Sequence, residues 1–361
     1  MSPESGQLLF LGTYTPAGGA SRGIYAVRLD PHTGSLGEAV LAAETPNPTF
    51  LAWHPNGRTL YALGEAGTVG GRPGGALVSF RYDDTSGRLT RLNAEPTGGI
   101  GLAHVALDRS GRAAIVVSYH GGQVASFPIL PNTCVGPRGS LITHTGRLGP
   151  DSARQDKPHP HSACLSPDNR FVYVCDLGLD RIFRYRLDPA AATLAPAGET
   201  ASVPGAGPRH SRFTDDGRHF YVLNELNGTI EAFAVAAADG DLTRVQVITT
   251  LPRDFTGANT CAEIRLSPDQ RFVYSSNRGH DSLAVFSRDD VTGLLAPVEI
   301  VPTGGKHPRN FNLSPDGRWL VCANKDSDNV TVFARDAATG RLTRTPQVLR
   351  VPQAVCVLFA P

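Results

Sequence analysis

The stretch Gly205–Leu226, GAGPRHSRFTDDGRHFYVLNEL, decides how the chain is read. Its middle is a hairpin: two apolar-alternating runs joined by TDDGR, a turn whose Asp and Gly supply local hydrogen bonding and a permissive backbone. Its ends are different. Arg209 and His210 open the first run and Asn224 and Glu225 close the second, where a plain hairpin needs no charge.

The same hairpin recurs along the chain. LAWHPNGRTLYALGE starts at Leu51, VALDRSGRAAIVVSY at Val105 and ACLSPDNRFVYVCDL at Ala163. IRLSPDQRFVYSSNR starts at Ile264 and FNLSPDGRWLVCANK at Phe311. The turn centres fall at 57, 111, 169, 217, 270 and 317, with spacings of 54, 58, 48, 53 and 47 residues. Each copy continues into a third alternating run (GALVSFRY, GQVASFPI, DRIFRYRL, GTIEAFAV, DSLAVFSR, DNVTVFAR) and then a fourth. Period-two alternation bounded by Gly, Asp and Asn is the half-buried strand signal, and about 50 residues holding four such strands is one propeller blade.

Six copies are complete and one is split. The N-terminal runs QLLFLGTYT, RGIYAVRLD and AVLAAETP match strands two to four, and the C-terminal PQAVCVLFAP matches the missing first strand. The expected fold is therefore all-β: a seven-bladed propeller of four-stranded antiparallel blades in one domain spanning 1–361. Pairing the N- and C-terminal strands in one blade closes the ring and removes two exposed sheet edges.

Composition narrows the function. The 34 Lys+Arg balance 33 Asp+Glu, so no basic footprint for nucleic acid or an acidic membrane is present. No apolar run is long enough to cross a membrane as a helix, and the first residues lack a secretory pattern. The six cysteines show no C-x-x-C and sit mostly inside strand patterns, Cys164 and Cys175 across one hairpin. Thiols and a cytoplasmic location are expected. Monomer and dimer both remain open.

Aligning the repeats on their turns converts the hairpin ends into a ring. Eight residues before the centre lie Thr49, Ala103, His161, Arg209, Ala262 and Arg309. Eight after it lie Glu65, Tyr119, Leu177, Glu225, Arg278 and Lys325, with Tyr14 as the N-terminal equivalent. Residues equidistant from an antiparallel turn face each other, so Arg209 is expected opposite Glu225. First strands surround a propeller's axis, so these ends converge on one mouth of the channel, with His307, Asn277, Asn324 and Asp176 nearby. Such a cationic pocket with one carboxylate and a histidine suits a small anion, guanidinium being the preferred fork for carboxylate or phosphate. The competing reading is a channel mouth filled with mutually satisfied polar side chains. The run of charges across consecutive blades favours a binding site. His159 and His161 in HPH lack the neighbours of a metal set, so no metal and no organic cofactor are expected. The glycine-rich GGIG and GEAGTVGGRPGG open no helix, and no nucleophile elbow is present.

The segments GAGPRHSRFTDDGRHFYVLNEL, DKPHPHSACLSPDNRFVYVCDLGLDRI, RFVYSSNRGHDSLAVF and GGKHPRNFNLSPDGRWLVCANKDSDNVTVF together resemble the seven-bladed β-propeller lactonase family, over essentially the whole chain. The resemblance implies a catalytic set of one histidine, two arginines and one glutamate, matched here by His161, Arg209, Arg278 and Glu225. It also implies an enzyme that opens 6-phosphoglucono-1,5-lactone without a cofactor, with cyclisation of a carboxymuconate as the rival activity. A non-catalytic interaction platform is the rival from another class. Candidate substrate-binding residues are His307, Arg309, Lys325, Asn277, Asn324, Glu65 and Tyr119. Glu225 or His161 is the expected base, and Arg209 or Arg278 the oxyanion partner.

Overall fold

In the computed structural model, which describes residues 6–64, 68–69 and 72–361, the chain forms seven four-stranded antiparallel sheets. Six are sequential units in up-and-down order. The blade carrying the opening stretch consists of Pro208–Phe213, His219–Asn224, Thr229–Val235 and Leu242–Thr249. The turn centres sit in the left-handed region, Gly217 at φ 72° and even Gln270 at φ 59°, which is why small or amide residues recur there. In four of the six turns a preceding hydroxyl holds the Asp within it, as Thr214 donates to Asp216 at 2.6 Å and Ser166 to Asp168 at 2.6 Å.

The seventh blade contains both termini. Ala354–Phe359 pairs with Gln7–Thr13, Leu9 opposite Phe359 and Leu11 opposite Val357, and the sheet continues through Gly23–Leu29 to Val40–Glu44. The expected closure is present.

Sheets stack face to face, and alternating side chains from neighbouring blades fill the space between them. Val172, Val174 and Tyr185 meet Ile115 and Val117 of the preceding blade, and Tyr221, Leu223 and Ile230 meet Ile264 and Val273 of the following one. At the closure, Leu9, Leu11 and Val357 meet Val321, Val330 and Val332. Each such aliphatic side chain contributes about 1.5–3 kcal/mol by leaving water. A polar staple repeats around the ring. Tyr173, Tyr221 and Tyr274 donate their hydroxyls to the carbonyls of Gly240, Gly293 and Gly340 in the next blade's outer hairpin. All six cysteines are free thiols, and Cys164 and Cys175 are not bonded to each other.

Candidate active site at the channel mouth

Six of the seven inner strands are irregular at this end. Pro208 pairs with Asn224 and His210 with Leu223, leaving Arg209 as the extra residue of a bulge. The skipped residue is Ala103, His161 or Arg309 in three other blades, and Ala262 and Glu263 share the irregularity in a fourth. A bulge turns its extra side chain out of the pleat. This corrects the simple mirror register: Arg209 is not Glu225's ladder partner, and the Glu225 amide instead donates to the Gly207 carbonyl at 2.7 Å. The bulge is what swings Arg209 toward the carboxylate.

Glu225 is the hub. Its Oε2 accepts from Arg209 Nε at 2.8 Å and pairs with Arg278 Nη2 at 3.0 Å, while Oε1 accepts from Arg154. His161 Nε2 lies 3.9 Å from Oε2. Glu225, Arg209, Arg278 and His161 are all buried. Burial alone would raise the Glu225 pKa, but Arg278, Arg209, His161 and Arg154 outweigh it and hold the carboxyl well below the ordinary range. Burial and then Arg209 push His161 well below its usual value, so its imidazole is neutral at pH 7. Burial, reinforced by Arg278, lowers Arg209 to about 9, still protonated at neutral pH.

A pocket of about 200 Å³ opens above this hub, walled by His161, Glu225, Arg278, Arg154, Tyr119, His120, Arg309 and Tyr14, with Gly101, Leu102 and Ala103 completing the lining. The Arg309 guanidinium lies 5.6 Å from the Tyr14 ring centre and has no carboxylate partner among the described residues. It is the cation left for a ligand. The Tyr119 ring stacks on His159 at 4.2 Å and meets His161 edge-on at 5.3 Å. His159 itself bonds to Asp156 and the Tyr119 carbonyl, so the two histidines of HPH part company. Among the described residues no group of three or more His, Cys, Asp or Glu side chains is arranged to hold a metal ion.

Other expected members are elsewhere. Asn277 is consumed at the junction with the preceding blade, accepting from Thr250 Oγ1 at 2.8 Å and donating to the Thr250 carbonyl at 2.9 Å. Asn324 donates to Thr331 and is fully buried. Asp176 accepts from His144 at 2.7 Å and from the His159 amide at 2.8 Å. These residues stand one position before the pocket-facing row, and strand alternation sends them to the opposite face. Leu177 belongs to the apolar interior. His307 and Lys325 both turn to Asp326 and do not line the pocket. Thr49 lines a smaller void below it. Glu65 lies outside the described residues.

Arg154 was not anticipated. It comes from the connection between the second and third complete hairpins, between Ser140–Thr143 and Pro160–Leu165, which is longer than its counterparts in the other repeats. The only trace in the sequence is that this interval, 58 residues from turn to turn, is the longest.

Comparison with known proteins agrees with this architecture. A family model described as lactonase, 7-bladed β-propeller, matches residues 8–359. A 6-phosphogluconolactonase of Bacillus subtilis is 38% identical over 350 residues, covering 97% of each chain. One of Formosa agariphila is 33% identical over 76% of this chain and 78% of its own. The solved structure of a periplasmic gluconolactonase from Pseudomonas aeruginosa superposes with a TM-score of 0.92 at 34% identity, covering 99% of both chains.

Proposed function

We propose that this chain, which belongs to the seven-bladed β-propeller lactonase family, hydrolyses 6-phosphoglucono-1,5-lactone to 6-phosphogluconate. The observation that carries the reading is a neutral, buried His161 set 3.9 Å from a carboxylate that three guanidiniums already hold. That arrangement divides the labour between the two candidate bases. Both Glu225 oxygens accept from arginine and its pKa is held low, which makes it a poor proton acceptor. His161 takes the proton of the attacking water at Nε2, and Glu225 stabilises the imidazolium that results.

The water oxygen bonds to the lactone carbonyl carbon, and the carbonyl electrons move onto oxygen. Arg278, on the pocket wall, donates to that oxyanion. Collapse breaks the bond to the ring oxygen, which recovers the proton from His161 and leaves as a hydroxyl. The carboxylic acid so formed then loses its proton to solvent. Arg209, beneath the hub, holds Glu225 in place, and Arg309 and Arg154 bind the phosphate. The scheme draws on side chains alone. Six free thiols fit a cytoplasmic protein, although one structural relative is named as periplasmic.

The test is turnover of purified protein on 6-phosphogluconolactone, with spontaneous opening subtracted, beside unphosphorylated gluconolactone and carboxymuconate. Phosphorylated lactone is the expected best substrate, and His161→Ala is expected to lower kcat by about 10²–10⁴-fold. Cyclisation of carboxymuconate without lactone hydrolysis would overturn the proposal.

A further inference from the structure

Beneath the pocket, the channel holds a second buried set that the scheme above does not use. Glu263, fully buried, lies 3.1 Å from His210 Nδ1 and accepts from Arg212 at 2.9 Å. Asn310 also donates to it. Arg212 and Asn310 both donate to Glu263, so it is an acceptor toward His210 as well; His210 Nδ1 carries the proton and its Nε2 presents a bare lone pair. That Nε2 is buried and has no protein partner.

His161 poses the complementary problem. Its Nδ1 is also buried without a protein partner, while its Nε2 faces Glu225. Only Nε2 can serve the pocket, so the base-competent tautomer needs its proton on Nδ1 and an acceptor for that N–H. The His161 and His210 rings stand 5.2 Å apart at 68°.

We propose that Glu263 and His210 are positioning residues for His161: Glu263 fixes the His210 tautomer, and His210 Nε2, the unpartnered nitrogen of the adjoining ring, is the acceptor for His161 Nδ1–H. The lone pair of His161 Nε2 is thereby directed at the reacting water. This rests on the assignment of His161 as the base. The charged or titratable groups around His210 are Glu263, Arg209, Arg212, Arg265, His104 and His161. His104 is a rival partner, its ring 5.5 Å from His210 and its Nδ1 likewise without a protein partner.

The experiment reads the His161 tautomer directly, by nitrogen NMR of histidine-labelled protein at pH 7, with the resonance assigned by its loss in His161→Gln. Wild type is expected to show His161 protonated at Nδ1. His210→Phe, which fills the ring's volume without an acceptor, is expected to shift that population toward Nε2–H. It is also expected to lower kcat about ten-fold or more with KM nearly unchanged. His210→Gln, which restores an acceptor, is expected to recover most of both. Thermal melting checks that each variant is folded, and Glu263 is left intact because its loss would strand two arginines. An Nε2–H tautomer in wild type, an unmoved tautomer in folded His210→Phe, or a shift produced by His104→Phe instead would each overturn the relay. The tautomer needs no substrate, so an error in the assigned reaction leaves this readout standing.

Discussion

Glu225→Gln separates what the carboxylate does for the fold from what it does for the reaction. The substitution keeps the volume and removes one charge from a site where Arg209 is 2% and Arg278 7% exposed. With Glu225 in place, burial already brings Arg209 to about 9. Without its charge, two buried guanidiniums face each other with only neutral acceptors, the glutamine oxygen and the backbone carbonyls of Ala262 for Arg209 and Cys261 for Arg278. Removing one partner of a buried ion pair costs about 3–5 kcal/mol, and here one partner serves two buried cations. Set against the roughly 5–15 kcal/mol that holds a folded protein together, the expected loss is a large fraction. Urea titration followed by tryptophan fluorescence should show the midpoint falling accordingly. The double variant Glu225→Gln/Arg278→Gln tests the cause, because removing one stranded cation should recover about 0.5–3 kcal/mol of coupling. Turnover of lactone should drop about 10²-fold or more, since the His161 imidazolium loses its counter-ion. A Glu225→Gln protein with the wild-type urea midpoint would refute the reasoning, for the arginines would then not depend on this carboxylate.

Arg309→Ala should raise KM for the phosphorylated lactone about 10–100-fold, the worth of one charge-assisted hydrogen bond, while barely affecting unphosphorylated gluconolactone. Equal effects on both substrates would remove Arg309 from the phosphate site. Deleting residues 352–361 takes away the strand Ala354–Phe359 and exposes the edge of Gln7–Thr13, so light scattering should report aggregation and melting should lose cooperativity. A truncated protein that melts like the whole chain would contradict the closure. Stability should also decline as pH falls below about 6.5. His104, His161 and His210 have folded pKa values depressed by burial, His104 to about 3, so between those values and 6.5 the unfolded chain binds more protons. Three such groups give a slope of at most roughly 4 kcal/mol per pH unit, three times that of one proton. A urea midpoint unchanged from pH 7 to pH 5 would show that these histidines charge freely in the folded state.

The blades were legible because two local rules coincide in them. Alternation marks the strands, and the residue at each turn centre must tolerate positive φ, which leaves Gly, Asn or Gln at a repeating interval. Closure was legible because the orphan strands at the two ends, PQAVCVLFAP and QLLFLGTYT, each lack what the other supplies. The pocket row was only partly legible. Tyr119, Glu225 and Arg278 reach the pocket from one repeat position, yet Lys325 at the same position turns into the short 3₁₀ turn Lys325–Ser327 and pairs with Asp326. Asn277 and Asn324 fail for a parity reason: being one residue out of phase puts a strand side chain on the other face, where the amide ties strands together.

Mirror-register arithmetic found the Arg209–Glu225 neighbourhood through an incorrect pairing. Nothing in a sequence announces a bulge at a non-glycine residue, because its cost is recovered only from what the displaced side chain then touches. In this protein the recovery is visible, since the bulged His161 and Arg209 meet at one carboxylate and the bulged Arg309 faces the same pocket. The same irregularity at Ala103 leaves the opposite wall small, and that is what gives the pocket its open side. One backbone device, repeated blade by blade, therefore both delivers the charged groups and makes room for what they bind. Filling the open side should separate the two effects. Ala103→Leu occupies the space beside His161 and Arg309 without touching any charge, so it should weaken substrate binding while leaving the urea midpoint close to wild type. If KM is unchanged in that variant, the substrate does not sit between the bulged residues.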